Sequence, residues 1–176
     1  MALVKPIIFQ IVGYQNSGKT TFMERLIKSL KDQGLITSAI KHHGHGGKPD
    51  IVQKKDSTKY LSAGAAASII EGDGRLILQV EEWGHSLEAQ IELMNFFHPD
   101  VILIEGYKQK NYPKLVILRD LNDLSLLKNV SNVKAVVYWQ ESMSEWLSSR
   151  ISLPCFYIED ETAICWIVEL IKKSVQ

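Results

Sequence analysis

The amino-acid sequence predicts an α/β fold in three layers, with a mainly parallel sheet between helices and one added antiparallel hairpin. Short aliphatic runs of strand length alternate along the chain with stretches of helical apolar spacing. Two such runs are separated only by Gly72-Asp73-Gly74, which is a hairpin signal. Because the 176 residues suit one hydrophobic core and contain no linker or repeat, we expect a single domain over residues 1–176.

The first two strands are predicted by apolar runs, and the helix between them by a change of apolar period. Residues 6–12 form a run of strand length, whereas residues 21–31 place apolar side chains on one helical face. Gly34 ends this helix, because glycine accepts the left-handed conformation that closes a helix. Residues 35–40 form the second predicted strand.

A short helix and the hairpin follow a polar, glycine-rich stretch. The helix is predicted over residues 56–64, with Asp56 or Ser57 as its N-cap. The strands of the hairpin are predicted over residues 67–71 and 75–80, and they add an antiparallel pair to the fold.

The second half of the chain continues the alternation of strands and helices. Further strands are predicted over residues 101–104, 115–118, 133–138 and 155–158. Further helices are predicted over residues 86–97, 142–150 and 161–173, and Pro99 ends the first of them. Alternation of this kind predicts parallel strands joined by helical crossovers.

Charge and hydropathy exclude several classes of function. The chain has 20 basic and 20 acidic residues, so we expect neither a nucleic-acid partner nor a membrane partner. Cys155 and Cys165 lack metal-type spacing and are predicted to be reduced packing residues. The N-terminus has no signal-peptide pattern and no apolar run has the length of a membrane span, so we expect a cytoplasmic protein.

The residues Gly13–Thr20, between the first predicted strand and helix, match the pattern G-x-x-x-x-G-K-T of a phosphate-binding loop. Gly13 and Gly18 allow the backbone to curl, and the N–H groups of the loop and of the helix start bind negative charge. Lys19 would supply charge to the β- and γ-phosphates, and Thr20 a hydroxyl to Mg²⁺. The pattern therefore predicts a site for a nucleoside triphosphate.

An acidic residue for this site is predicted by its position in the sheet. Ligands of open α/β sheets bind beyond the carboxyl ends of the strands. Glu105 lies at that end of the strand predicted over residues 101–104, whereas Asp100 lies at the other end. We expect Glu105 to hold Mg²⁺ or to orient a water, and Asp100 to be structural. Lys108 either adds charge beside the phosphates or is a solvated lysine.

The stretch Lys41-His42-His43-Gly44-His45 follows the second strand at the same edge of the sheet. Three functions compete: a transition-metal site on the histidines, contact of Lys41 and His42 with substrate or phosphate, and a switch-like loop. An ordinary polar surface loop is the fourth alternative. Metal is the least favoured function, because the sequence nearby offers only Asp50 as a carboxylate partner.

Three further groups of residues receive simpler interpretations. Asp56 is predicted to cap a helix, with a functional role left open. Lys114 and Arg119 bound the strand predicted over residues 115–118, and Lys114, at its amino end, is expected to be solvated or to contact a partner. The four tryptophans are expected to pack; they are Trp83, Trp139, Trp146 and Trp166.

Taken together, these segments resemble the molybdopterin-guanine dinucleotide biosynthesis adapter proteins, the MobB family. The residues that carry the resemblance, in order, are Gly13–Thr20 with Thr21, Lys41-His42, Asp56-Ser57 with Ala63-Gly64-Ala65, Glu105-Gly106-Tyr107-Lys108, and Lys114. The resemblance implies a P-loop fold, GTP and Mg²⁺ binding with weak GTPase activity, and a homodimer. It also implies a role beside the guanylyltransferase that joins GMP to molybdopterin, with molybdopterin or a molybdoenzyme as further partners.

The resemblance also implies roles for individual residues. Catalytic roles fall to Lys19 and Glu105, and the Mg²⁺ ligands are Thr20 and Glu105. Nucleotide-binding roles fall to Gly13, Asn16, Ser17, Gly18, Lys19, Thr20, Thr21, Lys41, His42, Asp56 and Lys108. The hairpin is a candidate dimer contact, because an exposed edge strand carrying Ile69, Leu76 and Leu78 needs covering.

Two alternatives and one gap accompany this interpretation. A small-molecule kinase would hold its acceptor with Lys41, His42 and Lys108, and a metallochaperone GTPase would use the histidines of the same stretch. The sequence lacks an N-K-x-D signature for guanine, so guanine preference rests on the resemblance alone. A site for the nucleotide base is expected after residues 133–138 or around Glu159-Asp160.

The chain offers no evident arginine finger or strong general base, which predicts slow hydrolysis.

Overall fold

The computed structural model of the protein describes residues 5–44, 56–84 and 86–175. The chain forms two compact units, one of Met1–Gly44 with Ile91–Gln176 and the other of His45–Gln90. The single domain over residues 1–176 therefore stays a prediction. Among the helices of the described residues, none has the length and apolar character needed to cross a membrane.

The elements follow one another much as the sequence predicts. The strands are β1 Ile7–Gly13, β2 Thr37–Lys41, β3 Ala67–Gly72, β4 Arg75–Val80, β5 Val101–Glu105, β6 Lys114–Leu118, β7 Val133–Tyr138 and β8 Cys155–Tyr157. The helices are α1 Lys19–Asp32, α2 Asp56–Ser62, α3 Leu87–Asn95, α4 Ser125–Asn129, α5 Met143–Arg150 and α6 Thr162–Val175.

The first unit is built on a six-stranded sheet in the order β2-β5-β1-β6-β7-β8. All its neighbouring strands are parallel, which confirms the predicted parallel sheet. The central strand β1 pairs Ile11 with Glu105 of β5 on one side and with Leu115 of β6 on the other. Because the strands are parallel, their carboxyl ends share one edge of the sheet, where ligands of such folds bind.

Helices cover both faces of this sheet and bury its aliphatic side chains. Apolar side chains of α1 and α6 pack on one face with Phe9 and Ile11 of β1. Side chains of α4 and α5 pack on the other face with Val12 of the same strand. Alternate residues of β1 therefore enter two different cores, and the predicted three-layer arrangement is confirmed.

The second unit contains the predicted hairpin. Strands β3 and β4 pair antiparallel from Ala67↔Val80 to Gly72↔Arg75. The two turn residues, Asp73 and Gly74, have φ values of 49° and 73°, as a tight hairpin turn requires. Apolar side chains remain exposed on the hairpin; they are Ile69, Ile70, Leu76, Ile77 and Leu78.

Several details of the fold differ from the sequence prediction. A 3₁₀ turn over Leu121–Leu124 and the short helix α4 were not predicted, because so few residues show no helical period. The Asp120 side chain starts this turn by accepting a hydrogen bond from the Asn122 N–H, 2.8 Å away. Helix α3 ends at Asn95 rather than at residue 97, and His98 then adopts a φ of 49°.

The prediction that Lys114 is solvated or contacts a partner was wrong. Lys114 does lie at the amino end of β6, but its side chain is fully buried. Its ammonium donates hydrogen bonds to the carbonyls of Lys110 and Ser131, each 2.7 Å away, and burial lowers the pKa of Lys114. The lysine therefore links the loop that contains Lys110 to the loop that contains Ser131, at the amino end of β6.

Candidate phosphate-binding site

The phosphate loop, Gly13–Thr20, connects the carboxyl end of β1 to the first turn of α1. Asn16 and Gly18 have φ values of 56° and 82°, so the backbone curls between strand and helix. A Cβ at Gly18 would lie 2.9 Å from the Trp139 ring, and a Cβ at Gly13 would overlap the Ser17 hydroxyl. Space therefore excludes a side chain at both glycines, and the positive φ of Gly18 favours glycine there as well.

Lys19 lies in a cluster of charges at the start of α1. Its ammonium donates a hydrogen bond to the Tyr14 carbonyl, 2.6 Å away, which folds the side chain back over the loop. Burial lowers the pKa of Lys19; Glu105 opposes this shift, whereas the cations Lys108, Lys41 and Arg119 add to it. A concentration of positive charge at a helix N-terminus is suited to an anionic ligand.

Thr20 and Glu105 meet beside this lysine, although 85 residues separate them. The Thr20 hydroxyl lies 3.2 Å and 3.1 Å from the two carboxylate oxygens of Glu105, to which it donates. The ammonium of Lys41 lies 2.9 Å from the Thr20 hydroxyl and 3.4 Å from the nearer oxygen of Glu105. Glu105 is buried, whereas Lys41 is exposed, so the carboxylate is the fixed member of the group.

These side chains fit Mg²⁺ and a phosphate. A hydroxyl and a carboxylate oxygen are the hard oxygen ligands that Mg²⁺ prefers, and both are present at one point. The Ser17 hydroxyl is buried against Gly13 and has no hydrogen-bond partner among the described residues, so of this residue the backbone is the part that suits a phosphate. Bound Mg²⁺ would supply charge to the phosphates, and Thr20 and Glu105 would hold it.

The remaining predicted site residues lie in three groups. His42 donates its backbone N–H to the Glu105 carbonyl, 2.9 Å away, and its ring packs on Tyr107. The ammonium of Lys108 lies 4.4 Å from the centre of the Tyr14 ring, on the phosphate loop. Thr21 is an exposed residue of α1.

Some predictions fall on residues that the structure does not describe. His45 and Asp50 lie outside the described residues, and so does the side chain of Asp56. Within residues 5–44, 56–84 and 86–175, no group of three or more His, Cys, Asp or Glu side chains is arranged to hold a metal ion. Asp100 accepts a hydrogen bond from the Ile36 N–H, 2.7 Å away, as its structural interpretation predicts.

The sequence interpretation missed two residues that touch the phosphate loop. Arg119 donates a hydrogen bond to the Gln15 carbonyl, 3.2 Å away. Trp139, predicted only to pack, donates its indole N–H to the Ser17 carbonyl, 3.0 Å away. Both residues directly follow strands, β6 and β7, so the strand-end rule that selected Glu105 also points to them.

Arg119 is held in place by Asp123. The guanidinium makes two hydrogen bonds of 2.8 Å to the carboxylate, and the Arg119 backbone N–H adds a third of 2.9 Å. The Asp123 side chain is almost fully buried. The side-chain hydrogen bonds from Arg119 lower the pKa of Asp123 against the opposing effect of burial, so this aspartate stays ionised.

A parallel sheet with this loop between β1 and α1 defines a P-loop NTPase, a class that binds nucleoside triphosphates with Mg²⁺. Within that class, the model of the family "Molybdopterin guanine dinucleotide synthesis protein B" matches residues 8–139. The chain belongs to this family, known as MobB, as the sequence resemblance predicted.

Relatives match over nearly the whole chain. A Bacillus subtilis protein described as a probable molybdopterin-guanine dinucleotide biosynthesis adapter protein is 41% identical over 175 residues, which are 98% of each chain. The crystal structure of Bacillus subtilis MobB has a TM-score of 0.81 and 39% identity, and the match covers 93% of this chain and 96% of that one. A MobB homolog from Bacillus stearothermophilus has a TM-score of 0.74 and 29% identity, covering 94% and 98%.

The Arg119–Asp123 pair predicts that part of the free energy of unfolding is lost in acid. Because the folded-state pKa of Asp123 is lowered, its stabilisation is complete above the ordinary pKa of about 3.9 and is lost as pH falls through the folded-state value. We expect Asp123→Asn to lower the free energy of unfolding at pH 7 by about 1–3 kcal/mol, and to flatten its fall between about pH 5 and pH 2.

Urea unfolding at a series of pH values measures both effects. Glu24→Gln, at an exposed position on α1, is the matched control and should follow the wild type. An Asp123→Asn variant with wild-type stability at pH 7 and the wild-type acid slope would contradict this account of the pair.

Proposed function

We propose that the protein is an adapter of molybdopterin guanine dinucleotide biosynthesis that binds GTP with Mg²⁺ and hydrolyses it slowly. The observation that carries this proposal is the contact of the Thr20 hydroxyl with both carboxylate oxygens of Glu105, next to Lys19. That contact joins the phosphate loop to a carboxylate that could hold Mg²⁺, in a chain of the MobB family. The Bacillus subtilis relative, described as a probable adapter of this biosynthesis, supports the pathway.

The proposal assigns a role to each site residue. The backbone of the phosphate loop, with Gly13, Asn16, Ser17 and Gly18, would hold the phosphates. Lys19 would neutralise charge on the β- and γ-phosphates, and Thr20 and Glu105 would hold Mg²⁺. Lys41, His42 and Lys108 would line the adjoining edge. The roles of Thr21 and Asp56 rest on the family resemblance.

Slow hydrolysis is supported by the way the charged groups are engaged. Glu105 is hydrogen-bonded to Thr20 and paired with Lys41, which suits a metal ligand better than a general base. Arg119 is occupied by Asp123 and by the Gln15 carbonyl, so it serves the loop rather than a transferring phosphate. That leaves Lys19 to stabilise the developing charge, to which bound Mg²⁺ would add further positive charge.

The proposed partners are the guanylyltransferase of this biosynthesis, together with molybdopterin or a molybdoenzyme, in the cytoplasm. Family membership favours this adapter role over the small-molecule kinase and the metallochaperone. GTP is proposed over ATP on the family resemblance.

We also propose a homodimer formed through the hairpin. Ile69 is 62% exposed, and its cross-strand partner Leu78 is 37% exposed on the same face of β3 and β4. Leu76 follows on that face, so three aliphatic side chains form an apolar strip. A second copy of the hairpin would cover this strip.

The first test removes the ammonium of the phosphate loop. We expect Lys19→Ala to weaken GTP·Mg²⁺ binding by at least about 10- to 100-fold while the fold survives, because the charge-assisted hydrogen bonds to phosphate are lost. Calorimetric titration with GTP and ATP measures this loss. Lys28→Ala, at an exposed lysine of the same helix, is the control and should bind like the wild type.

Several outcomes would contradict parts of the proposal. Unchanged binding by Lys19→Ala would contradict the phosphate site, and equal affinity for ATP would contradict guanine preference. If the protein captured neither the guanylyltransferase nor a molybdoenzyme from cells that make the cofactor, the adapter role would be abandoned. Fast turnover with a small acceptor would establish the kinase, and stoichiometric Ni²⁺ or Zn²⁺ binding the metallochaperone.

The dimer is tested by placing a charge on the apolar strip. We expect Ile69→Arg to shift the protein from dimer to monomer in sedimentation equilibrium, because an arginine in an apolar interface is costly to bury. Ile36→Arg is the matched control, since Ile36 is 59% exposed in the first unit. A wild type that sediments as a monomer, or an Ile69→Arg variant that stays dimeric, would exclude the proposed interface.

A further inference from the structure

We infer that Trp139 and Arg119 are positioning residues that hold the peptide groups of the phosphate loop in the orientation needed for phosphate binding. The inference starts from two loop carbonyls that accept side-chain hydrogen bonds. The Gln15 carbonyl accepts from the Arg119 guanidinium at 3.2 Å, and the Ser17 carbonyl accepts from the Trp139 indole at 3.0 Å. Each donor is far from its acceptor in the sequence: 104 residues separate Arg119 from Gln15, and 122 separate Trp139 from Ser17.

Peptide geometry connects these carbonyls to the phosphate-binding groups. A trans peptide is planar, and its C=O and N–H point in opposite directions. The peptide with the Gln15 carbonyl carries the Asn16 N–H, and the peptide with the Ser17 carbonyl carries the Gly18 N–H. A donor that fixes either carbonyl on one side therefore directs the corresponding N–H to the other side, and N–H groups of this loop bind the phosphates.

The Gln15–Asn16 and Ser17–Gly18 peptides are the ones whose orientation most needs side-chain hydrogen bonds. Asn16 and Gly18 have positive φ values, of 56° and 82°. Such conformations cost energy for asparagine and are only one of many that glycine can adopt. Without the donors, rotation of these peptides would turn N–H groups away from the ligand. The carbonyl of Tyr14 is occupied by Lys19, a group that the proposed function assigns to the ligand itself.

Both donors are themselves fixed by the sheet. Arg119 follows the last residue of β6 and is locked by its three hydrogen bonds to the buried Asp123. Trp139 follows the last residue of β7, and its backbone N–H donates to the Leu118 carbonyl at 3.1 Å. The edge of its ring also lies against Gly18, where no Cβ would fit. Preorganisation of this kind raises affinity by removing the cost of ordering the loop.

The inference rests on the proposed function, so its test uses a ligand that contains only phosphate. Inorganic pyrophosphate and GTP are titrated, each with Mg²⁺, into the wild type, Trp139→Phe and Trp146→Phe. Trp139→Phe retains a ring beside Gly18 but has no N–H donor. Trp146 lies on α5, where its ring packs on the Arg150 guanidinium, and it serves as the matched control.

We expect Trp139→Phe to weaken pyrophosphate and GTP by the same factor, about 2- to 10-fold, which is the effect of one hydrogen bond. Trp146→Phe should leave both affinities unchanged. Arg119→Lys keeps the charge but loses the planar fork that reaches both Asp123 and Gln15, so it should weaken both ligands as well. Circular dichroism and urea unfolding of each variant establish that the fold is retained.

Four outcomes would overturn the inference. The first is an unchanged affinity of Trp139→Phe for pyrophosphate, and the second is an equal loss of affinity in Trp146→Phe. The third is a Trp139→Phe variant that is less stable than the wild type but binds both ligands as tightly. The fourth is a Trp139→Phe variant that loses affinity for GTP alone. The last would place the Trp139 ring against the base rather than behind the loop. A wild type that bound neither ligand would overturn the proposed function together with this inference, whereas equal binding by wild type and Trp139→Phe would overturn the inference alone.

Discussion

The site depends on the parallel pairing of β1 with β5. This register sets Ile11 opposite Glu105, so the carboxylate reaches the point where β1 turns into the phosphate loop. On the far side of β5, the register with β2 sets Lys41 opposite the same glutamate. A slip of one residue would send the Glu105 side chain to the other face of the sheet, away from Thr20. Backbone hydrogen bonds thus determine which charges can meet the ligand.

Charge at this edge is unevenly balanced. Three cations, Lys41, Lys108 and Arg119, act on a fourth, Lys19, whereas the carboxylates that pair with Lys41 and Arg119 are Glu105 and Asp123. Excess positive charge raises the free energy of the protein alone and is relieved by a polyphosphate. The lowered pKa of Lys19 has this origin in part, since the neighbouring cations act in the same direction as burial. A chain of zero net charge thus has a local concentration of positive charge that suits an anion.

The sequence was sufficient for the loop and for Glu105, because both follow from local patterns and the strand-end rule. It was not sufficient for Arg119 and Trp139, whose role depends on contacts with single backbone carbonyls. The strand-end rule points to both positions, but no spacing or composition shows that a side chain there donates to a particular backbone carbonyl. For Lys114, the sequence predicted the position at the amino end of the strand but not the burial of the side chain. That burial depends on two loops whose course the sequence does not show.

The central claim is that Thr20 and Glu105 form the metal site of a nucleotide-binding loop, and Glu105→Gln tests it most directly. Calorimetric titration of GTP with and without Mg²⁺ gives the gain in affinity that the metal provides. The account predicts a large gain in the wild type and the loss of most of it in Glu105→Gln, with Mg²⁺-free binding retained, because an amide oxygen is a weaker ligand than a carboxylate. Equal gains in both proteins would contradict the account.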